Sequence, residues 1–268
     1  MSFKVAAVQM TSGNDKQNNL NKAEKLLLTG VNEGATLLSL PENFSFMGSE
    51  SEKLLAAESM EDGESIRFLQ SFATKHNVWL LGGSIAIKAD NNKSYNSSLL
   101  ISNKGEIAAR YDKIHLFDVD IKGGESHQES RFIKKGSTPV CTDTPFGKIG
   151  LSICYDLRFP ELYRELVRMG ARLIFVPSAF TVKTGQAHWE ILLRARAIEN
   201  QCYVIAPAQF GRHGEKRKTY GNAMIIDPWG KILARAEDKE TVIAAEVDLS
   251  FQDEIRKGIP CLEHISIK

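Results

Sequence analysis

Apolar residues along the 268-residue chain follow two different spacings. Short runs that are apolar throughout or at every second position are typical of strands, and longer segments with apolar residues every three or four positions are typical of helices. The pattern predicts helices over about residues 16–33, 64–75 and 186–200. It predicts strands at FKVAAVQM, ATLLSL, VWLLGGSIAI, RLIFVPS, CYVIAPAQ and TVIAAEVDL. Strands that alternate with helices in this way indicate an α/β fold with a mixed sheet.

Turn residues and breaks in the pattern divide the rest of the chain. Asn103, Lys104 and Gly105 separate two alternating strands, which predicts a hairpin, and NAMIIDPWGKILARA predicts a second one. Residues 118–136 have no sustained period, and a loop of that length inside a compact domain is more often functional than idle. We find no linker or repeat, so we expect a single domain over residues 1–268.

Composition and charge argue against several classes of function. The chain has 34 Lys and Arg against 33 Asp and Glu, a net charge of +1, so no overall field would attract nucleic acid or an anionic membrane. No signal-peptide pattern is present, and no apolar run approaches the about 20 residues that span a bilayer. The four cysteines form no CxxC pair, and the six histidines lack metal-ligand spacing. We therefore expect a cytoplasmic protein with reduced thiols and no metal.

The stretch GKIGLSICYDLRFPELYREL changes from a strand pattern to a helical one, with Cys154 at the junction. Apolar residues alternate up to Ile153, and from Pro160 onward they recur at helical spacing. The N-terminus of a helix carries unpaired N–H groups and a partial positive charge, both of which favour a thiolate. Cys154 is therefore a candidate nucleophile, and the alternative is a buried structural cysteine.

Two further ionisable residues directly follow strand-like runs. Glu42 comes after LLSLP, and Lys113 lies just beyond IAARYD. Ligand crevices of α/β sheets lie outside the carboxyl ends of the strands, so these side chains and Cys154 could converge. A thiol, a carboxylate and an ammonium are the nucleophile, base and oxyanion partner that acyl transfer needs. The alternative for Glu42 and Lys113 is a solvated surface position.

Several stretches, in the same order, resemble the nitrilase-like carbon-nitrogen hydrolase superfamily: LPENF, YDKIHLFD, HQES, ICYDLRFPEL, PSAF, TGQAHWEILLRARAIENQCYVIA and YGNAMIIDPWG. The resemblance covers nearly the whole chain and implies a four-layer α-β-β-α sandwich with mixed sheets. It implies a cofactor-free cysteine hydrolase whose triad is Glu42, Lys113 and Cys154. By the same resemblance, Glu129 in HQES is a fourth catalytic residue, and the backbone N–H of Tyr155 meets the oxyanion.

Within that superfamily the chain looks most like amidases that hydrolyse deaminated glutathione, which implies a small-molecule amide substrate and the products α-keto acid and cysteinylglycine. The resemblance places Arg158 on a substrate carboxylate and puts Ser178 and Phe180 of PSAF beside the substrate. The basic loop over residues 210–221 is either a solvated loop or the source of a cation for a second carboxylate. Its cationic candidates are Arg212, Lys216, Arg217 and Lys218.

Several alternatives remain open on the sequence alone. The chain could be an ω-amidase acting on α-ketoglutaramate, an N-carbamoyl amino acid amidohydrolase, a nitrilase, or a catalytically idle binding partner. A papain-like pair of Cys154 with His115 or His188 would replace the triad. The glycines of LLGGSIA lack the spacing of a dinucleotide site. The segment HWEILLRARAIENQ implies, by resemblance, the interface of a homodimer or higher homo-oligomer.

Overall fold

A computed structural model describes residues 1–90, 92–120, 126–215 and 217–267. Its strands are β1 Ser2–Met10, β2 Leu37–Ser39, β3 Trp79–Leu81, β4 Ile85–Asp90, β5 Lys93–Ile101, β6 Ile107–Asp112, β7 Asp118–Asp120, β8 Ser126–Gln128, β9 Val140–Thr142, β10 Ile149–Leu151, β11 Leu173–Phe175, β12 Tyr203–Ala206, β13 Ala208–His213, β14 Arg217–Tyr220, β15 Met224–Ile226, β16 Ile232–Arg235 and β17 Thr241–Asp248. Its α-helices are α1 Lys16–Asn32, α2 Glu50–Leu55, α3 Glu64–His76, α4 Pro160–Arg168, α5 Val182–Thr184, α6 Glu190–Asn200 and α7 Leu249–Gly258. Short 3-10 turns cover Glu129–Arg131 and Cys154–Arg158, and a π-helical turn covers Gly185–Trp189.

The strands form two large mixed sheets and one small ribbon within these ranges. The first sheet has the order β14-β13-β1-β2-β3-β5-β4, with β17 also pairing with β1 and β6 with β5. The second has the order β16-β15-β12-β11-β10-β9, and β7 pairs only with β8. The central strands β1, β2 and β3 of the first sheet and β10, β11 and β12 of the second run parallel. Their carboxyl ends are therefore the edges where a crevice is expected.

Alternate residues of β1 belong to two different apolar cores. Val5 and Ala7 belong to the core that includes the second sheet, whereas Ala6 and Val8 belong to a core shared with α1 and α3. Because side chains alternate across a strand, one face of the first sheet meets the other sheet and the opposite face meets helices. Helices α4 and α6 contact the second sheet. The layers are thus those of the predicted α-β-β-α sandwich.

Local sequence signals explain where the main helices begin and end. The Asp15 side chain accepts a hydrogen bond from the N–H of Asn18 and caps α1. Asn77 adopts a left-handed conformation at the end of α3, and Pro160 occupies the first turn of α4. Asp248 caps α7 in the same way as Asp15 caps α1. None of the helices in the described ranges is both long enough and apolar enough to cross a bilayer.

Most predicted elements are confirmed, and several segments differ from the prediction. The run CYVIAPAQ is not one strand but contains β12 and the start of β13, which belong to different sheets. The helices predicted over 16–33 and 64–75 are α1 and α3, and the helix predicted over 186–200 begins as a π-helical turn before α6. The run VWLLGGSIAI is two strands, β3 and β4, rather than one. The basic loop is a hairpin of β13 and β14. Within the aperiodic segment over 118–136, residues 121–125 lie outside the described residues.

The glycines of LLGGSIA permit a close approach of two backbone segments. Leu40 donates its N–H to the carbonyl of Leu81 at 3.0 Å, and Asn43 donates its N–H to the Ser84 hydroxyl at 3.0 Å. Gly83 between them has φ +54°, and a Cβ at this position would lie 2.6 Å from the carbonyl oxygen of Leu40 and would overlap that of Pro41. These contacts hold the chain immediately before and after residue 42.

Gly83→Ala should lower the free energy of unfolding by at least about 2 kcal/mol. The added methyl group would overlap backbone atoms, and alanine adopts the left-handed conformation less readily than glycine. Urea denaturation followed by circular dichroism measures the change. Gly258→Ala is the control, because its added Cβ meets no atom within 4 Å, and it should stay within about 0.5 kcal/mol of the wild type. Equal stability of the two variants would contradict this explanation of the glycine pair.

Candidate active site

Cys154 lies on a sharp turn that directly follows β10. Its N–H donates to the carbonyl of Pro177 at 3.0 Å, and its φ of +49° is in the left-handed region, which is uncommon for a residue other than glycine. A strained conformation of this kind persists where its surroundings determine it, and it occurs frequently at functional sites.

Asp156 is the residue that holds this turn. Its carboxylate is completely buried and accepts hydrogen bonds from the N–H of Ile153 at 2.8 Å and from the Tyr111 hydroxyl at 2.7 Å. The same carboxylate accepts the N–H of His115 at 3.1 Å and contacts its Nδ1 at 2.7 Å. Tyr111 and His115 flank Lys113 in the chain. Asp156 therefore fixes the cysteine turn relative to the segment that carries Lys113.

The Lys113 ammonium lies between two carboxylates. Its Nζ is 3.1 Å from Glu42 Oε1 and 2.9 Å from Glu129 Oε2, and it also donates to Glu129 Oε1 at 3.1 Å. The three residues are only 2% (Lys113), 3% (Glu42) and 8% (Glu129) exposed. Lys113 immediately follows β6, Glu42 lies beyond β2, and Glu129 opens a 3-10 turn. The prediction that side chains at strand ends converge is therefore confirmed for Glu42 and Lys113.

Mutual attraction keeps Lys113 and Glu129 ionised in spite of their burial. Burial opposes the charge on Lys113, but the carboxylates of Glu129 and Glu42 outweigh it and raise the pKa of the ammonium well above its usual value. Burial likewise opposes the charge on Glu129, and Lys113 outweighs it, so the pKa of the Glu129 carboxyl is lowered. Lys113 is therefore a cation, and Glu129 an anion, at neutral pH.

The surroundings of the Cys154 thiol favour its neutral form. Burial is the main cause that raises its pKa, and the nearby Glu42 carboxylate raises it further. Lys113 and the N–H of Ala179 act in the opposite direction but do not compensate. The helix N-terminus that was expected to favour a thiolate lies further along the chain, because α4 begins at Pro160, and it does not offset the effect of burial. A neutral thiol needs a base, and the neighbouring Glu42 carboxylate can serve as one.

A cavity opens onto this cluster. Glu42, Lys113, Glu129 and Cys154 all line it. Arg158 lies on its wall, with its guanidinium 5.3 Å from the centroid of the Phe180 ring and 5.8 Å from that of Tyr155, both of which also line the cavity. A nucleophile, a hydrogen-bonded carboxylate and an ammonium at the bottom of one cavity form an arrangement that can perform acyl transfer.

Comparison with known proteins identifies the family. Residues 4–257 match the family described as carbon-nitrogen hydrolase. The chain belongs to the carbon-nitrogen hydrolase family. A protein of Synechocystis named deaminated glutathione amidase is 47% identical over 98% of this chain and 97% of its own length. A mouse protein of the same name is 44% identical over 97% of this chain and 82% of its own length.

Solved structures agree with this family. The NitFhit protein of Caenorhabditis elegans is 42% identical, with a TM-score of 0.92 over 99% of this chain and 65% of its own. Nit3 of Saccharomyces cerevisiae, described as a nitrilase-superfamily member, is 33% identical, with a TM-score of 0.89 over 97% of this chain and 94% of its own. The chain is therefore a carbon-nitrogen hydrolase with the nitrilase-superfamily sandwich.

Two of the substrate-binding residues predicted for this hydrolase do not line the cavity. Ser178 is buried behind the wall, where its hydroxyl donates to the carbonyl of Val176 at 3.0 Å. Arg212 is exposed and donates to the carbonyl of Glu215 at 3.1 Å. We correct both assignments, because neither side chain reaches the cavity. Of the other predicted cations, Lys218 is exposed and lies off the cavity, Arg217 lines it, and Lys216 lies outside the described residues.

The alternative Cys/His pair finds no support in the positions of its two histidines. His115 is bound to Asp156 and stacks on Phe159 with ring centroids 3.7 Å apart. His188 contacts Arg158 through its Nδ1 at 3.2 Å. Neither histidine lines the cavity. A third histidine, His127, does line it and packs its ring against that of Phe117.

Asn96 is a residue of the site that the sequence analysis missed. Its side-chain Nδ2 donates to Glu42 Oε1 at 3.0 Å and to Glu129 Oε1 at 3.4 Å. Its backbone carbonyl accepts the N–H of Lys113 at 2.9 Å. It lies within an ordinary strand pattern, so no local signal distinguished it. Gln209 is a second one, because it donates to the carbonyl of Glu42 at 3.0 Å. In the described part of the chain, no group of three or more His, Cys, Asp or Glu is arranged to hold a metal ion.

Asn96→Ala should lower kcat about tenfold, because a hydrogen bond to a charged group contributes about 1.5–3 kcal/mol. KM should change little, since Asn96 orients the carboxylates and does not line the cavity. Steady-state kinetics on any hydrolysed amide measures both constants. Ser98→Ala on the same strand is the control, because within the described ranges the Ser98 hydroxyl has no hydrogen-bond partner. Equal kcat values for the two variants would refute a positioning role for Asn96.

Proposed function

We propose that this hydrolase cleaves the amide bond of deaminated glutathione and releases an α-keto acid and cysteinylglycine. The reaction is supported by one observation, the Lys113 ammonium held between Glu42 and Glu129 at the bottom of the cavity beside Cys154. The substrate is supported by the relatives from Synechocystis, mouse and other organisms that bear the name deaminated glutathione amidase, at 41–47% identity.

In the first half of the proposed reaction, Glu42 takes the thiol proton while Cys154 Sγ attacks the amide carbon. The carbonyl oxygen becomes an oxyanion, which the Lys113 ammonium and the N–H of Tyr155 stabilise. One such donor typically lowers the activation barrier by about 3 kcal/mol. The carbon-nitrogen bond then breaks, Glu42 returns the proton to the leaving amine, and the acyl group stays on Cys154 as a thioester.

In the second half, Glu42 takes a proton from water, and the resulting hydroxide attacks the thioester carbon. The carbon-sulfur bond breaks, the keto acid leaves, and the proton returns to Cys154. Glu129 holds Lys113 in position throughout and does not exchange a proton. Its buried carboxylate accepts the N–H of Phe117 at 2.7 Å in addition to the ammonium, which fixes its orientation.

Arg158 and Phe180 form the part of the site that takes the keto-acid end. A guanidinium on the cavity wall binds a carboxylate through two parallel hydrogen bonds, and the ring beneath it packs on the carbon chain. The same contacts would bind α-ketoglutaramate, so Arg158 alone does not separate the two substrates.

The proposal extends to partners and location. We expect a small-molecule substrate, no nucleic acid and no membrane, and a homodimer or higher homo-oligomer. Ile191 and Ile198 of α6 are 69% and 48% exposed, and the neighbouring Trp229 is 60% exposed, which supports a protein partner on this face. The four cysteines are free thiols, in keeping with a cytoplasmic location. A single domain over residues 1–268 stays a prediction.

Cys154→Ala should abolish release of cysteinylglycine from deaminated glutathione, because no other thiol lines the cavity in the described ranges. Cys141→Ala and Cys261→Ala are the controls and should keep most of the activity. Rapid quenching and mass spectrometry of the wild type should find the ketoacyl group on Cys154 alone. A thioester on another cysteine, or a loss with His127→Ala as large as that with Cys154→Ala while Glu42→Gln stays active, would overturn the mechanism.

The substrate assignment has its own criterion. The wild-type kcat/KM should be higher for deaminated glutathione than for α-ketoglutaramate, an N-carbamoyl amino acid or a nitrile at equal concentration. A preference for α-ketoglutaramate would reject this substrate and leave the cysteine amidase intact. An enzyme inactive on all four would support the idle binding partner.

A further inference from the structure

Three charged residues line the active-site cavity without contacting the catalytic cluster directly. Glu50 and Lys53 belong to α2, and Arg217 opens β14. Lys53 Nζ is 2.5 Å from Glu50 Oε1, and Arg217 Nη1 is 3.8 Å from the same oxygen. One carboxylate oxygen therefore faces two cations, and the group carries a net charge of +1.

The contacts among these three residues do not satisfy all of their buried polar atoms. Lys53 is only 5% exposed, and a buried ammonium is costly unless anions and acceptors surround it. Among residues 1–90, 92–120, 126–215 and 217–267, the buried atoms Glu50 Oε2 and Arg217 Nε have no hydrogen-bond partner. One is an acceptor and the other a donor, and buried atoms of this kind are normally paired. A ligand in the cavity that carries an anion beside an N–H group would satisfy both.

We propose that Glu50, Lys53 and Arg217 form the subsite for the leaving group of the substrate. The terminal carboxylate of the peptide amine lies on Lys53 and Arg217, and the peptide N–H next to that carboxylate donates to Glu50 Oε2. Cysteinylglycine carries this pair of groups within its glycine residue. The inference rests on the proposed function, in which Arg158 takes the carboxylate at the keto-acid end. It explains how the enzyme selects a peptide amide over an amide whose leaving group is ammonia.

Lys53 of the subsite also influences the catalytic cluster electrostatically, although it is not a member of that cluster. Lys53 contributes to the lowered pKa of the Glu129 carboxyl, after the larger influence of Lys113. Lys53 and Cys154 line the same cavity, so a carboxylate on Lys53 and an amide at the thiol can belong to one substrate molecule. The subsite is thus continuous with the reacting centre rather than a separate surface site.

The test is a binding measurement in the Cys154→Ala background, in which the substrate survives. Calorimetry compares deaminated glutathione with its C-terminal carboxamide, which lacks only the terminal charge. Cys154→Ala should bind the carboxylate about tenfold or more tightly than the carboxamide, as a charged hydrogen bond predicts. Adding Lys53→Gln or Arg217→Gln should reduce that ratio to below about threefold. Adding Lys218→Gln, an exposed neighbour on β14, should leave the ratio unchanged.

Each outcome separates the subsite from the proposed function. A ratio unchanged by both Lys53→Gln and Arg217→Gln overturns the subsite, even if the wild type hydrolyses deaminated glutathione. A ratio that falls as expected, in a protein whose wild type does not hydrolyse this compound, supports the subsite and rejects the function. No binding of either compound overturns the subsite as well. Should Lys53→Gln fail to fold by circular dichroism, the more exposed Arg217 decides the result.

Discussion

The buried ion cluster around Lys113 is the interaction on which the rest of the site depends. An ammonium and two carboxylates removed from water would each cost several kcal/mol, so the cluster is stable only while every member keeps its partners. Here the surplus negative charge of Glu42 and Glu129 is met by the amide of Asn96 and the N–H of Phe117. The chain has to bring the segments after β2 and β6, a residue within β5 and a 3-10 turn to one point. The two-sheet sandwich provides that convergence.

The same cluster decides the state of the nucleophile. Burial and the neighbouring Glu42 carboxylate raise the pKa of the Cys154 thiol. In the proposed reaction, the thiol therefore gives up its proton only as it attacks the substrate carbonyl. The strained turn and the Asp156 hydrogen bonds hold the sulfur in place meanwhile. In the proposed reaction Lys113 meets the charge that develops on oxygen, with no rearrangement at the moment of reaction. The same arrangement therefore keeps the thiol protonated in the free enzyme and activates it when a substrate is bound.

The sequence predicted the elements that local pattern controls, and it failed where tertiary contacts decide. The helix near residue 16 has a capping Asp15 and an apolar stripe, so its position was accessible. Strand ends in α/β sheets gather polar side chains, which made Glu42, Lys113 and Cys154 candidates, whereas Glu129 was proposed only from the family resemblance. Asn96 and Asp156 were not predicted, because each acts through partners far along the chain. Helix α2 is too short for a periodic signal, although it supplies Glu50 and Lys53.

The hairpin of β13 and β14 shows the same limit of sequence-based prediction at the level of single residues. Composition indicated a group of cations near the cavity, but side chains alternate across a strand, so the direction of each cation depends on register. Arg212 pairs with Lys218, and both are exposed, whereas Arg217 pairs with the buried His213 and reaches the cavity. The number of charges in the segment does not predict the register. A shift of one residue would turn the exposed cations toward the cavity and Arg217 away from it.

The proposed mechanism requires a resting Cys154 thiol that is neutral and that loses its proton to Glu42. The pH dependence of Cys154 alkylation by iodoacetamide, followed by peptide mass spectrometry, tests it most directly. An ordinary thiol has a pKa of about 8.5, and burial together with the Glu42 carboxylate raises that of Cys154, so the rate should still be rising above pH 9 without a plateau. A rate that reached its plateau by about pH 7 would identify a preformed thiolate and contradict the account.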